Sequence, residues 1–145
     1  MARFDIDLIR DYIEDDISDN GWDEKIDFEY EQDDETLTVS ANVTLNNHDD
    51  DVYVEIYAYT GGSCSMRAVF DKLDKNLTTL NLLNDFNDSV NYFKAYVRDD
   101  GYLEIKHFFM VLDETSYQDC VGEFLSRLGG LADNEILQKL TKLTR

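Results

Sequence analysis

Residues 52–60 read VYVEIYAYT. Val52, Val54, Ile56 and Ala58 fall on every second position, and Tyr53, Glu55, Tyr57 and Tyr59 fill the places between. A period of two in β-branched and aromatic residues is the pattern of a strand with one buried and one wet face. That strand would turn its aliphatic side chains to the core and its three tyrosines outward.

The same period extends to both sides. Leu37, Val39, Ala41, Val43 and Leu45 alternate with Thr36, Thr38, Ser40, Asn42 and Thr44. Ile26, Phe28 and Tyr30 alternate with Asp27, Glu29 and Glu31 before a polar QDDE turn, and Cys64, Met66, Ala68 and Phe70 continue the pattern beyond Gly61-Gly62. Four antiparallel strands in a meander follow from this. Helical spacing precedes them: Phe4, Leu8, Ile9, Tyr12, Ile13 and Ile17 form one stripe, with Asp5 and Asp7 at the start and Asn20-Gly21 as the stop. A second helix is expected from about Leu73 to Ser89, with Leu73, Leu77, Leu80, Leu83, Phe86 and Val90 on its apolar side. Phe93, Ala95 and Val97, then Asp100-Gly101, then Leu103, Ile105, Phe109 and Val111 spell a hairpin whose two turn residues take positive φ. Thr115-Ser116-Tyr117-Gln118 reads as a capping box. It opens a helix carrying Tyr117, Cys120, Val121, Phe124, Leu125 and Leu128 and ending at Gly129-Gly130; a short last helix carries Ile136, Leu137, Leu140 and Leu143. The order is N-terminal helix, antiparallel β meander, central helix, β hairpin and C-terminal helices. That is an α+β fold with helices over one face of an antiparallel sheet. At 145 residues the chain reads as a single domain, 1–145.

Charge narrows the partners. The net charge is −19, and residues 1–60 hold 19 acids against 3 bases. Such a field repels phosphate backbones and anionic lipid, so direct nucleic-acid or membrane binding is not expected, while a basic protein partner is. There is no basic leader followed by an apolar run, and no stretch approaches the ~18 apolar residues of a membrane span. The chain reads as cytoplasmic. Two cysteines, Cys64 and Cys120, fall on apolar faces and are too few for a disulfide framework or a cysteine-rich zinc site. The absence of proline argues for tightly turned elements without long linkers.

Several stretches invite a chemical reading. DISDNGWDEKID, residues 16–27, places Asp16, Ser18, Asn20 and Gly21 at the first, third, fifth and sixth positions of a calcium loop. Asp23 stands where an apolar residue belongs and Asp27 where a bidentate Glu belongs, and a strand follows instead of a helix, so a helix end is the preferred reading over weak divalent-ion binding. Glu14-Asp15-Asp16, Asp33-Asp34-Glu35 and Asp49-Asp50-Asp51 sit at turns and helix ends, as solvated acids do. His48 is expected in an exposed turn. His107 is in phase with the core side of its strand, and a Cys120–His107 nucleophilic pair loses to core packing because a reactive thiolate needs a partly exposed, electropositive setting. Asn81, Asn84, Asn87 and Asn91 could read a partner's backbone, although such residues more often bond local backbone groups. No phosphate loop, dinucleotide fingerprint or serine elbow is present. No catalytic residue, cofactor or metal site is therefore expected. The interaction signal is Tyr53, Tyr57 and Tyr59 on one outward face, since aromatics with polar tips are enriched at interfaces.

The run LNLLNDFNDSVNYFKAYVRDDGYLEI, residues 80–105, resembles the central signature of the YbjN family. Asn84 and Asn87 stand on the helix, Phe93 to Val97 on the strand, and Asp99, Asp100 and Gly101 at the turn. The resemblance spans roughly residues 70 to 130 by motif and the whole chain by element order. It implies the fold of type III secretion chaperones, an α+β sandwich that commonly dimerises and holds an extended protein segment. The expectation is a non-catalytic, chaperone-like or regulatory protein-binding module, a homodimer among its forms. The alternative is an acidic decoy that mimics nucleic acid in a basic protein's groove.

Overall fold

The computed structural model describes residues 3–48 and 51–144. Helix α1 (Ile6–Asp19) leads through a 3-10 turn (Trp22–Glu24) into β1 (Glu29–Gln32), β2 (Thr36–Val43), β3 (Val52–Tyr59) and β4 (Ser63–Lys72). Then come α2 (Leu77–Ser89), β5 (Lys94–Val97), β6 (Tyr102–Met110), a second 3-10 turn (Glu114–Tyr117), α3 (Cys120–Leu131) and α4 (Glu135–Lys142). The six strands form one sheet in the order β1-β2-β3-β4-β6-β5, and every neighbouring pair is antiparallel. The α+β order expected from the sequence is the one observed.

Period two places Leu37, Val39, Val54, Ile56, Ala58, Cys64, Met66, Ala68, Leu103 and Ile105 on one sheet face, all fully buried. Ile9, Ile13 and Ile17 of α1, Phe86 of α2, Phe124 and Leu128 of α3, and Leu137 and Leu140 of α4 join them in a continuous apolar cluster. Burial of that area is the dominant favourable term in folding. Asp5 caps α1 by accepting from the amides of Asp7 and Leu8, and Asn76 and Asn134 cap α2 and α4.

Tertiary context moved several expected boundaries. Ile26 and Phe28 precede β1, and Tyr30, opposite Val39, turns to the helical side, where Arg10 lies 4.9 Å from its ring centroid. Leu8 is exposed, and Ile6 packs against the core instead. Leu73 is buried but lies outside α2, its amide tied to the carbonyl of Gly101, and Leu77 is 73% exposed. The β5–β6 turn is not the expected pair of positive-φ residues. Gly101 alone takes φ 91°, while its amide bonds to the carbonyl of Arg98 and Arg98 bonds to Tyr102; one extra loop residue leaves a single left-handed position, which glycine fills without a Cβ clash. The capping box centres on Asp113 and Ser116 around the 3-10 turn, not on Thr115 and Gln118. Gly129 and Gly130 do not stop α3, which runs on to Leu131. Leu143 lies past the end of α4 and is exposed.

Candidate functional site

The calcium-like stretch resolves into a structural joint. Asp16 is buried, and its Oδ2 accepts from the amides of Val121 (2.8 Å) and Gly122 (3.0 Å) at the start of α3. Asn20 donates to Oδ1 at 2.9 Å. The carboxyl is thus occupied by a helix N-terminus, whose amides and dipole favour an anion there. Gly122 permits the approach, since a Cβ at that position would stand 2.9 Å from Asp16 Oδ1. Among the described residues no three His, Cys, Asp or Glu side chains come together as metal ligands. Asp49 and Asp50 of the third acidic run lie outside the described residues.

The cysteine–histidine pairing finds no chemistry. Burial raises the thiols of Cys64 and Cys120 well above their usual range, which leaves them protonated and weakly nucleophilic. His107 is half-buried at the sheet face, with Nδ1 2.8 Å from the carbonyl of Tyr92 and its ring stacked on that of Tyr92 at 3.8 Å. His48 is half-buried too, not exposed as expected, with its ring 6.0 Å from that of Phe70. A hollow of about 680 Å³ lies between Asn42, His48, Val52, Phe70, Tyr102 and Thr141, and neither cysteine lines it. Of the asparagine row, Asn87 bonds both backbone groups of Ala95, closing the β5 edge (3.0 Å to its carbonyl, 2.8 Å from its amide).

The opposite sheet face is different. The register aligns its outward residues into rows. Thr36, Tyr59, Ser63 and Met110 make one, and Glu31, Thr38, Tyr57, Ser65 and Phe108 the next. Glu29, Ser40, Glu55, Arg67, Lys106 and Lys94 make the third; Asn42, Tyr53, Val69, Glu104 and Tyr96 the fourth. Tyr53, Tyr57 and Tyr59 are exposed as the alternation required, and Tyr96, Phe108 (54% exposed) and Met110 (62%) join them. Among the described residues no helix lies over these rows. The small Ser63 and Ser65 separate the β3 tyrosines from Phe108 and Met110. Strands spaced about 4.8 Å apart make that interval roughly 10 Å.

A charged band crosses the face beside the aromatics. Glu55 pairs with Arg67 and accepts from the Tyr53 hydroxyl at 3.0 Å. Arg67 and Arg98 also approach Glu104, at 3.6 and 3.7 Å, and Arg98 reaches Asp100 at 2.9 Å. Glu104 is only 1% exposed although it belongs to the outward set, and neither carboxyl oxygen receives a hydrogen bond within the described residues. The cover is one side chain deep, so water still screens the site in part. Desolvation outweighs the two guanidinium groups and holds the Glu104 carboxyl above its usual range. A raised carboxyl pKa in the fold means stability that is complete below the ordinary Glu range and declines as pH rises through the raised value. Glu104→Gln is therefore expected to stabilise the protein by about 1 kcal/mol at neutral pH. The gain should shrink toward pH ~4. Denaturant midpoints across that range check it, and a destabilised variant at pH 7 would mean that the arginine pairs outweigh burial.

Phe108 and Met110 were missed as surface residues, yet the signal was present, because the alternation that turns Phe109 and Val111 inward turns their neighbours outward. No helix among the described residues is long and apolar enough to cross a membrane. Residues 10–128 match the YbjN family model, whose description reads "Putative bacterial sensory transduction regulator". No curated protein and no solved structure matches the chain significantly.

Proposed function

The chain belongs to the YbjN family, and from that premise we propose that it is a cytoplasmic, non-catalytic regulatory module of secretion-chaperone-like build that holds a protein partner on its uncovered sheet face. One observation carries this reading: six aromatic or apolar side chains, Tyr53, Tyr57, Tyr59, Tyr96, Phe108 and Met110, stand exposed on one side of the sheet. Exposed aromatic and apolar side chains gathered on one sheet face, interleaved with polar and charged groups, are a usual mark of a docking site. The acids of α1 and β1 favour a basic partner and speed its encounter more than they tighten the complex.

The test is affinity capture from lysate of the native host at moderate salt, comparing the full chain with a Tyr53→Ser, Tyr57→Ser, Tyr59→Ser variant whose melting curve stays cooperative. Buried interface tyrosines are worth about 2 kcal/mol each when they act as anchors, so the yield of a stoichiometric partner should drop at least about tenfold. An unchanged yield rejects this surface. A second reading, the acidic decoy, draws on the crowding of 19 acids into residues 1–60. It predicts basic nucleic-acid-binding proteins in the capture, released by added DNA or salt and indifferent to the tyrosine changes.

A further inference from the structure

The two edges of the sheet are finished differently. At β5 the amide and carbonyl of Ala95, which point away from β6, are both taken by Asn87 of α2. β1 is the other edge strand. Asp33 donates to the Thr36 carbonyl at 3.0 Å, and that bond fixes the parity of the β1–β2 ladder. Glu31 and Glu29 bond across to Thr38 and Ser40, while Tyr30 and Gln32 aim their amides and carbonyls away from β2. Among the described residues no group bonds to those outward amides and carbonyls.

The side chains of β1 decide what such an edge excludes and what it takes. Glu29 and Glu31 project on the uncovered face, and both are exposed and without an ion-pair partner among the described residues. Tyr30 and Gln32, opposite Val39 and Leu37, project on the helical side. There the Arg10 guanidinium lies 4.9 Å from the Tyr30 ring centroid and donates to Gln32 Oε1 at 3.1 Å, and Gln32 donates to Asp7 at 2.9 Å. Open edges invite pairing with other chains. Two glutamates close this one to its own copies, since like charges then stand opposite. The same glutamates favour a strand that carries lysine or arginine opposite them.

We propose that the β1 edge is a second docking site, separate from the tyrosine face, which adds a strand from a partner protein with basic residues at alternate positions. On antiparallel addition the partner residues opposite Tyr30 and Gln32 exchange backbone bonds with them. The residue opposite Glu31 then falls in a non-hydrogen-bonded pair, where side chains stand closest, at about 4.5 Å between Cα atoms. A lysine or arginine there, and the next but one opposite Glu29, lies on the uncovered side of the sheet. Between them a β-branched residue packs beside the Tyr30 ring and the aliphatic stem of Arg10. The recognised pattern is basic–apolar–basic, and the field of a chain with net charge −19 draws such a segment in.

The probe is a peptide of about ten residues alternating lysine and valine, titrated into the full chain at low and moderate salt. Gln32→Pro removes one outward donor and sets a ring beside the edge, yet spares the β2 ladder, to which that amide does not bond. It should weaken binding at least about tenfold, with Gln32→Ala within about twofold of the wild type and both variants melting cooperatively. Methylating the valine amides of the peptide should weaken binding as much, because in the register set by the glutamates those amides meet β1. Methylating the lysine amides should not. The amides of Tyr30 and Gln32 gain hydrogen-exchange protection in the complex. No saturation by ~1 mM overturns the proposal. So does equal binding by Gln32→Pro, or equal binding of a peptide with its lysines and valines in separate blocks, since charge alone then suffices. The Tyr53→Ser, Tyr57→Ser, Tyr59→Ser variant should bind the peptide as the wild type does; a loss there places the peptide on the sheet face and overturns the edge. If the peptide fails to bind but that variant loses its lysate partner, the edge falls and the face stands. If the peptide binds with this discrimination while lysate capture ignores the tyrosine changes, the face falls and the edge stands.

Discussion

Asp16→Ala is expected to destabilise the protein by about 3 kcal/mol, read as a lower denaturant midpoint with an unchanged slope. The reason lies in α3 rather than in α1. Asp119, just before α3, sits at φ 61° and makes no side-chain cap, so the helix has none from its own segment. Asp16, 105 residues earlier, accepts from Val121 and Gly122 instead. Alanine leaves a buried and a half-buried amide without their acceptor, and the α1–α3 contact loses this charged tie. Asp16→Asn retains an acceptor oxygen and should cost less than half as much. Burial, the largest influence, holds the Asp16 carboxyl above its usual range despite the two amides and Asn20. The stability linked to its protonation is therefore complete below the ordinary Asp range and fades as pH rises through the raised value. Asp16→Asn carries no charge to desolvate, so it should gain on the wild type as pH rises above the ordinary Asp range. Millimolar calcium should leave both melting points in place. A neutral alanine variant would remove the capping argument, and a calcium-dependent rise in the wild-type melting point would return residues 16–27 to the class of metal loops.

The contrast between β3 and Asp16 shows which parts of this chain were legible. Eight residues suffice to establish period two, so the strand at 52–59, its buried side and its outward tyrosines could be read without knowing anything else about the fold. Phe108, Met110 and Tyr96 obey the same parity and were equally available. The ends of helices were not, because they depend on neighbours far away in sequence. Leu73, Leu77 and Leu80 have helical spacing, but Leu73 is held by the β5–β6 turn through Gly101, and α2 begins only where Asn76 caps it. Asp16 stands at the first position of a calcium-like pattern that reads rather as a helix end, and neither reading points to its partners, two amides more than 100 residues away. By parity alone Glu104 falls on the wet side of its strand. Only the register, which lays Arg67 and Arg98 against it from neighbouring elements, makes it buried. Residues that satisfy a local period can be read from sequence, whereas those that satisfy a distant backbone or charge cannot.

Asn87 belongs to the second kind, and Asn87→Ala should cost about 2 kcal/mol while opening the sheet at β5. Ala95 is opposite Ile105 in the β5–β6 pair. An antiparallel strand alternates between residues that bond across the pair and residues that point their backbone away. The amide and carbonyl of Ala95 are both taken by Asn87 of α2, so the side chain replaces the next strand for one residue. Alanine removes both bonds. Asn87→Asp retains the acceptor for the amide but sets a carboxylate against the Ala95 carbonyl, and should do no better. The tie from Lys94 Nζ to the Asn87 carbonyl, 3.0 Å, uses the backbone and survives either change, so α2 stays near its place and the loss can be assigned to the side chain. An unsealed edge strand is a template for pairing with another chain. The variant should therefore lose hydrogen-exchange protection at the Ala95 amide first and scatter more light on concentration. Retained protection at Ala95 would mean that water or the helix backbone replaces the amide side chain, and that the β5 edge is closed by α2 as a whole rather than by this one residue.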